Sequence, residues 1–360
     1  MMRRYLLAAI SCALLAASAS AQSAPRHLVR LYKATLLTNP DTQFLFSALD
    51  LNNRGDVVGS TTIEDEFFTS HAAIWRSGRV TLEKAELPGT QSSEADGVND
   101  HGDLVGTASL NVIGDVPHAV LWRNGKATDL GTPPGTTYFS PMLSGLNNRR
   151  QVIGFASDLQ GYLWTAGTFT LLALAPGGRN PFPEAINNAG HVAGWQSFGE
   201  DGTLASLWRN GEVELLGTLP GMIYSEAQGL NNADHVVGVA FTLDTELAFL
   251  WRQGTMTALP VVVAGDSAEA LSINNWDQVT GFETSASDGL SFPVLWENGR
   301  AIRLSDLIRP EDKAGMDPHI ALRSAGPIND RGQIIVYASN ADPNVPGDYF
   351  YLFTPVYEWQ

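Results

Sequence analysis

The chain has 360 residues, a formal net charge of −16, 35 glycines and a charged fraction of 17%. Abundant glycine with few charged residues is typical of an all-β protein rich in turns. The acidic balance argues against nucleic acid and against anionic membranes as partners.

The N-terminus has the features of a secretory signal peptide. Arg3 and Arg4 precede an apolar stretch over residues 5–17, and Ala19-Ser20-Ala21 offers small residues for cleavage. We therefore expect cleavage after Ala21 and export to the periplasm or outside the cell. The apolar stretch is too short for a membrane span, and no later stretch is long enough, so membrane insertion is not expected.

The single cysteine, Cys12, lies within this leader. Anchoring through Cys12 as a lipoprotein is the less favoured alternative, because Ala9-Ile10-Ser11 is a poor match to the motif required before such a cysteine. After cleavage no thiol remains for a disulfide, a thiolate metal site or a cysteine nucleophile.

One sequence unit recurs along the rest of the chain. A clear copy runs from Gly229 to Gly238 (Gly-Leu-Asn-Asn-Ala-Asp-His-Val-Val-Gly) and continues at Ala248-Phe-Leu-Trp-Arg-Gln-Gly254. Turn residues between β-branched and apolar runs predict four short strands in each copy. The Asn pair or Asn-Asp begins at Asn52, Asn99, Asn147, Asn187, Asn231, Asn274 and Asn329, and the aromatic residue of the third strand is Trp75, Trp122, Trp164, Trp208, Trp251, Trp296 and Phe353.

These seven copies predict one all-β domain over residues 22–360, with repeats over about 45–355. The copies follow each other at intervals of 40 to 55 residues, the size of a four-stranded propeller blade. Blades bury their apolar faces only against neighbours, which favours one domain over two. We therefore expect a seven-bladed β-propeller, with six blades as the alternative.

The two ends of the chain suggest how such a ring closes. Only six outer strands follow the aromatic positions, whereas residues 27–38 form a strand-like segment with no blade of its own. We expect Leu28–Leu37 to be the outer strand of the last blade, beside Tyr349–Thr354, because this pairing protects a sheet edge. An insertion over residues 305–323 is predicted to be a short helix or loop before the seventh Asn turn.

The repeats resemble those of the extracellular HAF-repeat proteins, a family of bacterial secreted repeat proteins. The segments His71-Ala-Ala-Ile-Trp75, His118-Ala-Val-Leu-Trp122 and Ala248-Phe-Leu-Trp251 are similar to the family's His-Ala-Phe motif, and the Asn-Asn-x-Gly-x-Val-Val-Gly turn matches as well. The other copies replace the histidine by Gln160, Leu204, Leu247, Phe292 and Tyr349. The resemblance implies bacterial export and a repeat fold, but no specific activity.

Four glutamates are the candidate ligand-binding residues. Glu94, Glu226 and Glu269 each precede the Asn of their turn by five residues, and Glu184 lies near the same place in the fourth repeat. The first strand of a blade lines the central channel, so these carboxylates are expected at the channel rim. Such a rim would bind a cation or a polar sugar, or supply an acid and a base. A solvated rim, or glutamates that accept bonds from backbone amides, is the alternative.

The remaining polar and aromatic residues are mostly interpreted as structural. His71 and His118 occupy one position on adjacent blades, too far apart for joint metal ligation, and each is expected to form a hydrogen bond within its own blade. The Asn turns lack the alternating spacing of a calcium loop, so they are interpreted as turns alone. No metal and no cofactor is predicted. The aromatic residues of the repeat series are expected to pack between blades, with the indole N–H of each tryptophan near its turn. Outside this series, Trp195 and Trp276 are candidates for stacking on sugars.

The absence of a linear catalytic motif and the near-equivalence of the repeats favour recognition over catalysis. We therefore predict a secreted binding or scaffold module, expected to be a monomer, that acts on a surface glycan or another protein. The alternative is an extracellular polysaccharide hydrolase or lyase that uses the carboxylates at the channel mouth.

Overall fold

The computed structural model describes residues 28–38, 46–63, 69–83, 85–110, 116–342 and 347–359. These residues form 28 β-strands, two 3-10 turns and one short α-helix. The predicted signal peptide lies outside the described residues. No helix within the described ranges is long and apolar enough to cross a membrane.

The strands are arranged in four-stranded antiparallel sheets, each of which is one blade. The first blade contains β2 (Phe46–Leu51), β3 (Val57–Thr62), β4 (Ser70–Arg76) and β5 (Arg79–Leu82). The second contains β6 (Ser92–Val98), β7 (Leu104–Ser109), β8 (His118–Arg123) and β9 (Lys126–Asp129). The third contains β10 (Phe139–Leu146), β11 (Gln151–Ala156), β12 (Gly161–Thr165) and β13 (Thr168–Leu171).

The next three blades repeat this pattern. The fourth contains β14 (Arg179–Ile186), β15 (Val192–Ser197), β16 (Thr203–Arg209) and β17 (Glu212–Gly217), with a 3-10 turn at Gly199–Asp201. The fifth contains β18 (Tyr224–Leu230), β19 (Val236–Phe241), β20 (Glu246–Arg252) and β21 (Thr255–Ala258). The sixth contains β22 (Ser267–Ile273), β23 (Val279–Thr284), β24 (Ser291–Glu297) and β25 (Arg300–Arg303).

The seventh blade is built from both ends of the chain. Its strands run in the order β26 (Ile320–Ile328), β27 (Ile334–Asn340), β28 (Asp348–Trp359) and β1 (Leu28–Leu36). The prediction of a seven-bladed propeller is therefore confirmed, and the six-bladed alternative is wrong.

The predicted closing strand is confirmed, with a different register. β1 is antiparallel to β28, with Leu28 opposite Trp359 and Leu36 opposite Tyr351. The partner segment was expected to be Tyr349–Thr354. The observed partner extends further, because β28 continues to Trp359. Leu31 and Tyr32 of β1 are buried in the seventh blade.

The insertion covers the outer edge of the closing strand. It contains a 3-10 turn at Leu304–Asp306 and the helix α1 (Pro310–Gly315), as expected for a short helix or loop. The backbone N–H of Tyr32 donates to the Leu307 carbonyl at 2.7 Å, and the Arg309 N–H donates to the Tyr32 carbonyl at 3.0 Å. The predicted end of the insertion at residue 323 is wrong, because β26 begins at Ile320 and needs that length to pair with β27.

Close packing of the backbone explains the glycine at the end of Val236-Val-Gly238 and at the equivalent place in Val279-Thr-Gly281. A Cβ on Gly238 would lie 2.0 Å from the Glu226 carbonyl oxygen, and one on Gly281 would lie 2.0 Å from that of Glu269. Only glycine allows this approach. Next to the contact, the inner strand has a bulge between Ala227 and Gly229, and its extra residue is Gln228.

The aromatic series forms the core between blades, as predicted. All seven side chains are buried: Trp75, Trp122, Trp164, Trp208, Trp251, Trp296 and Phe353. Their indole N–H groups were expected near their own turns. Instead, Trp208 donates to the Ala173 carbonyl at 2.7 Å and Trp296 donates to the Pro260 carbonyl at 2.6 Å, both in the loop that follows the preceding blade.

Deletion of residues 22–38 should lower the unfolding midpoint of the whole domain rather than loosen one end. The deletion removes the burial of Leu31, Tyr32 and their neighbours and exposes an edge of β28. Several large apolar side chains at about 1.5–3 kcal/mol each predict a loss on the order of 5 kcal/mol. Urea denaturation followed by tryptophan fluorescence measures this loss, and deletion of residues 22–27 alone is the control. If both deletions melted like the intact chain, β1 would not close the ring.

Candidate functional site

The seven Asn turns meet around the axis and form a closed ring of hydrogen bonds. The side-chain Nδ2 of each first Asn donates to the backbone carbonyl of the first Asn in the next blade, at 2.9 to 3.2 Å. The ring closes where Asn329 donates to the Asn52 carbonyl at 2.9 Å. All seven of these side chains are buried. We call this set of residues the Asn ring: Asn52, Asn99, Asn147, Asn187, Asn231, Asn274 and Asn329.

Each amide of the Asn ring also holds its own turn. The Oδ1 of Asn231, for example, accepts the backbone N–H groups of Ala233 and His235, both at 3.0 Å. One side chain therefore needs an acceptor for its own hairpin and a donor for the neighbouring blade. Of the short side chains, only Asn offers both at this reach. The interpretation of these residues as turn formers alone is thus incomplete, because they also join the blades.

A second ring of hydrogen bonds lies on the same face. In this ring the backbone donates and the side chain accepts, the reverse of the Asn ring. In each turn the backbone N–H of the second residue donates to the side-chain Oδ1 of the second residue in the next blade, at 2.8 to 2.9 Å. The seven members are Asn53, Asp100, Asn148, Asn188, Asn232, Asn275 and Asp330. Donors from Asn148 and Asn53 lower the pKa of Asp100, although burial opposes this effect.

Below the two rings, an apolar girdle narrows the axis. The residue before each first Asn contributes one side chain to it: Leu51, Val98, Leu146, Ile186, Leu230, Ile273 and Ile328. The cavity between the girdle and the rings has a volume of only about 170 Å³. The face that carries the Asn turns, which we call the turn face, is therefore a poor route for a ligand into the channel.

The opposite face, here the loop face, leads to a second axial cavity of about 300 Å³. This chamber lies on the other side of the girdle and is lined by the bulged residues of the inner strands, among them Leu49, Glu184, Gln228 and Leu271. A bulge turns the extra residue out of the regular alternation of the strand. The repeat position three residues before the first Asn thus determines the chemistry of the chamber.

Three of the four predicted glutamates lie close enough for their charges to interact, and one of them, Glu184, lines the chamber. Burial, together with the negative charges of Glu226 and Glu269, raises the pKa of Glu184 to about 7, although a hydrogen bond from the Trp195 indole opposes the shift. Burial, together with the charges of Glu246 and Glu226, likewise raises the pKa of Glu269 to about 7. Burial also raises the pKa of Glu226, which accepts a hydrogen bond from the Thr203 hydroxyl at 3.0 Å. We call these three residues the Glu cluster.

Glu94, the fourth predicted residue, lies apart from this cluster. It accepts a hydrogen bond from the Ser60 hydroxyl of the preceding blade at 3.0 Å. Its charge acts on Asp96, the bulged residue of β6, which the sequence did not single out. Burial and the negative charge of Glu94 raise the pKa of Asp96 well above its ordinary range.

An aromatic stack borders the Glu cluster. The Trp195 and Phe182 rings are nearly parallel, at 13°, with centroids 4.8 Å apart, and Phe155 packs against Phe182 at 4.9 Å. The Trp195 Nε1 donates to Glu184 at 3.4 Å. Trp195, a weak candidate for sugar stacking, is thus half-buried but lies next to the carboxylates.

Trp276, the other candidate, is 72% exposed on the turn face, where its Nε1 donates to the Asp330 carbonyl at 3.0 Å. It lies at the Asn turn of the sixth blade and contributes nothing to the chamber.

Four histidines form hydrogen bonds with neighbouring carboxylates. His71 contacts Glu86 at 3.0 Å and His118 contacts Asp129 at 2.8 Å, each within or just after its own blade, as predicted. His191 and His235 instead bridge to the next blade, where they contact Asp234 at 2.8 Å and Asp277 at 2.7 Å. Within the described residues, no three His, Cys, Asp or Glu side chains are grouped so as to hold a metal ion.

Known protein structures resemble this chain in fold but not in sequence. No protein-family model matches the sequence, and no curated protein is related to it in sequence. YCF48 bound to D1 peptide is 10% identical, over 92% of this chain and 96% of that one, with a TM-score of 0.49. A puromycin-hydrolyzing peptidase of Mycobacterium tuberculosis is 11% identical, over 82% of this chain and 49% of that one, with a TM-score of 0.51. A GH74 xyloglucanase from Xanthomonas campestris is 10% identical, over 93% and 55%, with a TM-score of 0.46. At these identities the similarities show the fold alone.

Substitution Asn231→Asp should destabilise the propeller by about 3 kcal/mol or more. Aspartate keeps the oxygen that holds the turn, but it replaces the donor to the Asn274 carbonyl and to Asp277 by an acceptor. A buried polar group without a partner costs about 1–3 kcal/mol, and a charged one costs more. The free energy of unfolding in urea measures the effect.

The exposed Asn210, in an outer turn of the fourth blade, supplies the matched control. Asn210→Asp changes the same atoms and the same charge, and should cost less than about 0.5 kcal/mol. Equal losses in the two variants would contradict a special role for the Asn ring.

The Glu cluster predicts that stability falls as the pH rises. The folded pKa of Glu184 and Glu269 is about 7, above the ordinary value of 4.5, so their neutral forms favour folding. This contribution is complete below about pH 4.5 and is lost by the time the pH passes 7. Each shift corresponds to at most roughly 3 kcal/mol.

Urea denaturation at several pH values between 5 and 8 checks this dependence. Glu184→Gln mimics the neutral acid and should flatten the profile, whereas Glu212→Gln, on the exposed outer strand, should leave it unchanged. A Glu184→Gln profile as steep as that of the unmodified protein would show that Glu184 ionises freely in the folded state.

Proposed function

We propose that this protein is an exported binding or scaffold module whose ligand site is the chamber at the Glu cluster. The features of a signal peptide over residues 1–21 and the resemblance to HAF-repeat proteins support export to the periplasm or outside the cell. The fold supports the binding role in a general way, because a rigid ring presents loops from all blades around one axial opening.

The observation that carries the proposal is a group of three buried or half-buried carboxylates whose charges interact, one of which, Glu184, lines the chamber. Burial raises the pKa of all three, so each costs folding free energy when it is ionised. Within the described residues, the groups that shift these pKa values are other carboxylates, an indole and a hydroxyl, with no cation among them. Strongly shifted pKa values in a cleft are typical of functional sites.

The shape and lining of the chamber favour a glycan as the ligand. The apolar girdle closes its far end, so a ligand enters from the loop face and stops at Glu184. Carboxyl groups that are partly protonated near pH 7 both donate to and accept from sugar hydroxyls. The indole of Trp195 adds an aromatic wall next to these groups, and amphipathic rings of this kind suit the faces of sugars. A protein partner that inserts a polar loop is the second form of the same proposal.

One observation favours an enzyme as the alternative function. Glu184 and Glu269 both have a pKa of about 7, the value that suits a general acid at neutral pH. A second carboxylate of the Glu cluster would then act as base or nucleophile on a polysaccharide, as in glycoside hydrolysis. In this reading the protein is an extracellular hydrolase or lyase.

The double variant Glu226→Gln/Glu269→Gln distinguishes these functions. We expect the unmodified protein to bind a subset of neutral oligosaccharides on a glycan array, and the double variant to bind the best of them at least tenfold more weakly. The control, Glu200→Gln/Glu212→Gln, removes the same charge from exposed positions and should bind as the unmodified protein does.

Other outcomes decide against the proposal. Release of reducing ends by the unmodified protein, lost in the double variant while binding is retained, would support the hydrolase. Unchanged binding in the double variant would remove the Glu cluster from the site. Binding of no glycan on the array, together with capture of a protein from the native secretome that the double variant loses, would support the protein partner.

A further inference from the structure

The insertion between the sixth and seventh blades walls a cavity outside the central channel. Its lining comes from the start of β24, the end of β25, the insertion and the start of β26, on the outer part of the loop face. The volume is about 550 Å³, larger than either axial cavity. Cavities of about 300–1,000 Å³ with apolar walls and a few polar groups are typical of small-molecule sites.

The back of the cavity is rigid. Ile308 is buried at its base, and the backbone on both sides of this residue is bonded to Tyr32 of the closing strand. Leu304 is also fully buried. Because the insertion is fixed to β1 along one side, the cavity on its other side is a built feature of the fold rather than a gap beneath a loose loop.

The walls are apolar and the polar groups are few. Phe292, Met316, Ile320 and Leu322 supply much of the lining together with Ile308, and these side chains are buried or half-buried. Such walls exclude water from the body of a ligand, and burial of each ligand methylene contributes about 0.8 kcal/mol. The cavity therefore suits a hydrocarbon chain or an aromatic ring.

Arg303 gives the cavity its charge. Its guanidinium carbon lies 3.5 Å from the centroid of the Phe292 ring, a stacked arrangement that fixes the plane of the group. Arg303 is half-buried and has no hydrogen bond to another of the described side chains. Burial raises the pKa of the nearby Glu283, while backbone N–H donors and, more weakly, the charge of Arg303 oppose this rise; both Glu283 oxygens accept the Val262 N–H, at 2.7 and 2.9 Å.

A second cation lies at the mouth. Lys313 of α1 lines the cavity and donates to the Ser305 carbonyl at 3.2 Å, with its remaining N–H groups available to a ligand. One acidic side chain, Asp317, is also at the mouth, and its Oδ1 accepts the His319 N–H at 2.9 Å. In a chain with a net charge of −16, an apolar cavity with two cations and one acid is a local exception.

We propose that this cavity binds a small amphipathic carboxylate, with its apolar body against the walls and its head group on Arg303. The planar guanidinium presents paired N–H donors that match a carboxylate, and a neutral or cationic head group would not satisfy them. The site is separate from the Glu cluster and does not depend on the proposed function.

Isothermal titration with dodecanoate, dodecan-1-ol and dodecyltrimethylammonium at pH 7 and low salt tests the proposal. We expect one site for dodecanoate, at least tenfold weaker binding of the alcohol, and none of the ammonium compound. Arg303→Gln should weaken dodecanoate binding at least tenfold. Arg300→Gln, an exposed arginine on the same strand, removes the same charge and should change it less than twofold.

Ala314→Trp locates the site, because this exposed residue of α1 lies at the cavity mouth and a large ring there should block it. Absence of dodecanoate binding would overturn the proposal. It would also be overturned if the alcohol bound as tightly, if Arg303→Gln and Arg300→Gln weakened binding equally, or if Ala314→Trp bound like the unmodified protein. Thermal melting of each variant shows whether it is folded. The Glu226→Gln/Glu269→Gln variant should bind dodecanoate normally, so failure at one site is distinguishable from failure at the other.

Discussion

The hydrogen bonds of the Asn ring are the constraint on which the rest of this structure depends. Each blade offers one buried amide donor to the next, and the last blade returns the bond to the first. A buried donor needs a partner, so no blade can turn away from its neighbour without leaving one unsatisfied. The second ring adds one backbone donor per blade on the same face. The turn face is thereby held as one unit, and the loop face is left to vary.

The repeat geometry also places Glu184 in the chamber. The Val-Val-Gly strand needs a glycine because the inner strand passes within contact of its backbone, and the bulge beside this contact directs one extra residue into the channel. At that position the seven copies differ, from Leu49 to Glu184 to Gln228. The repeat thus keeps a constant frame and varies one side chain per blade, which is how a near-symmetric ring acquires an off-centre acidic chamber.

Departures from the repeat occur where the ring closes. The seventh blade takes its outer strand from residues 28–36, and the insertion seals the outer edge of that strand through the backbone of Tyr32. A sheet edge without such cover would invite pairing with other chains. The segment that seals this edge also walls the cavity at Arg303, so one insertion gives both protection of the fold and a place for a ligand.

Most of the fold could be predicted from the sequence, because blade repeats recur in the chain and each carries local turn signals. The number of blades, the strand pattern, the buried tryptophans and the closing strand all follow from residues close together in sequence. Three of the four glutamates, Glu184, Glu226 and Glu269, also proved to be neighbours, since all three lie on inner strands of consecutive blades.

The features that the sequence did not predict depend on long-range contacts. The donor function of the Asn ring, the register of β1 and the separation of Glu94 from the Glu cluster depend on how blades face each other, which no local spacing contains. The cavity at Arg303 is assembled from two blades and the insertion. The sequence by itself determined the repeating unit, since short-range sterics and hydrogen bonds specify hairpins. Only the tertiary structure decided which side chains share a chamber, because burial and charge act between residues that the chain brings together from different blades.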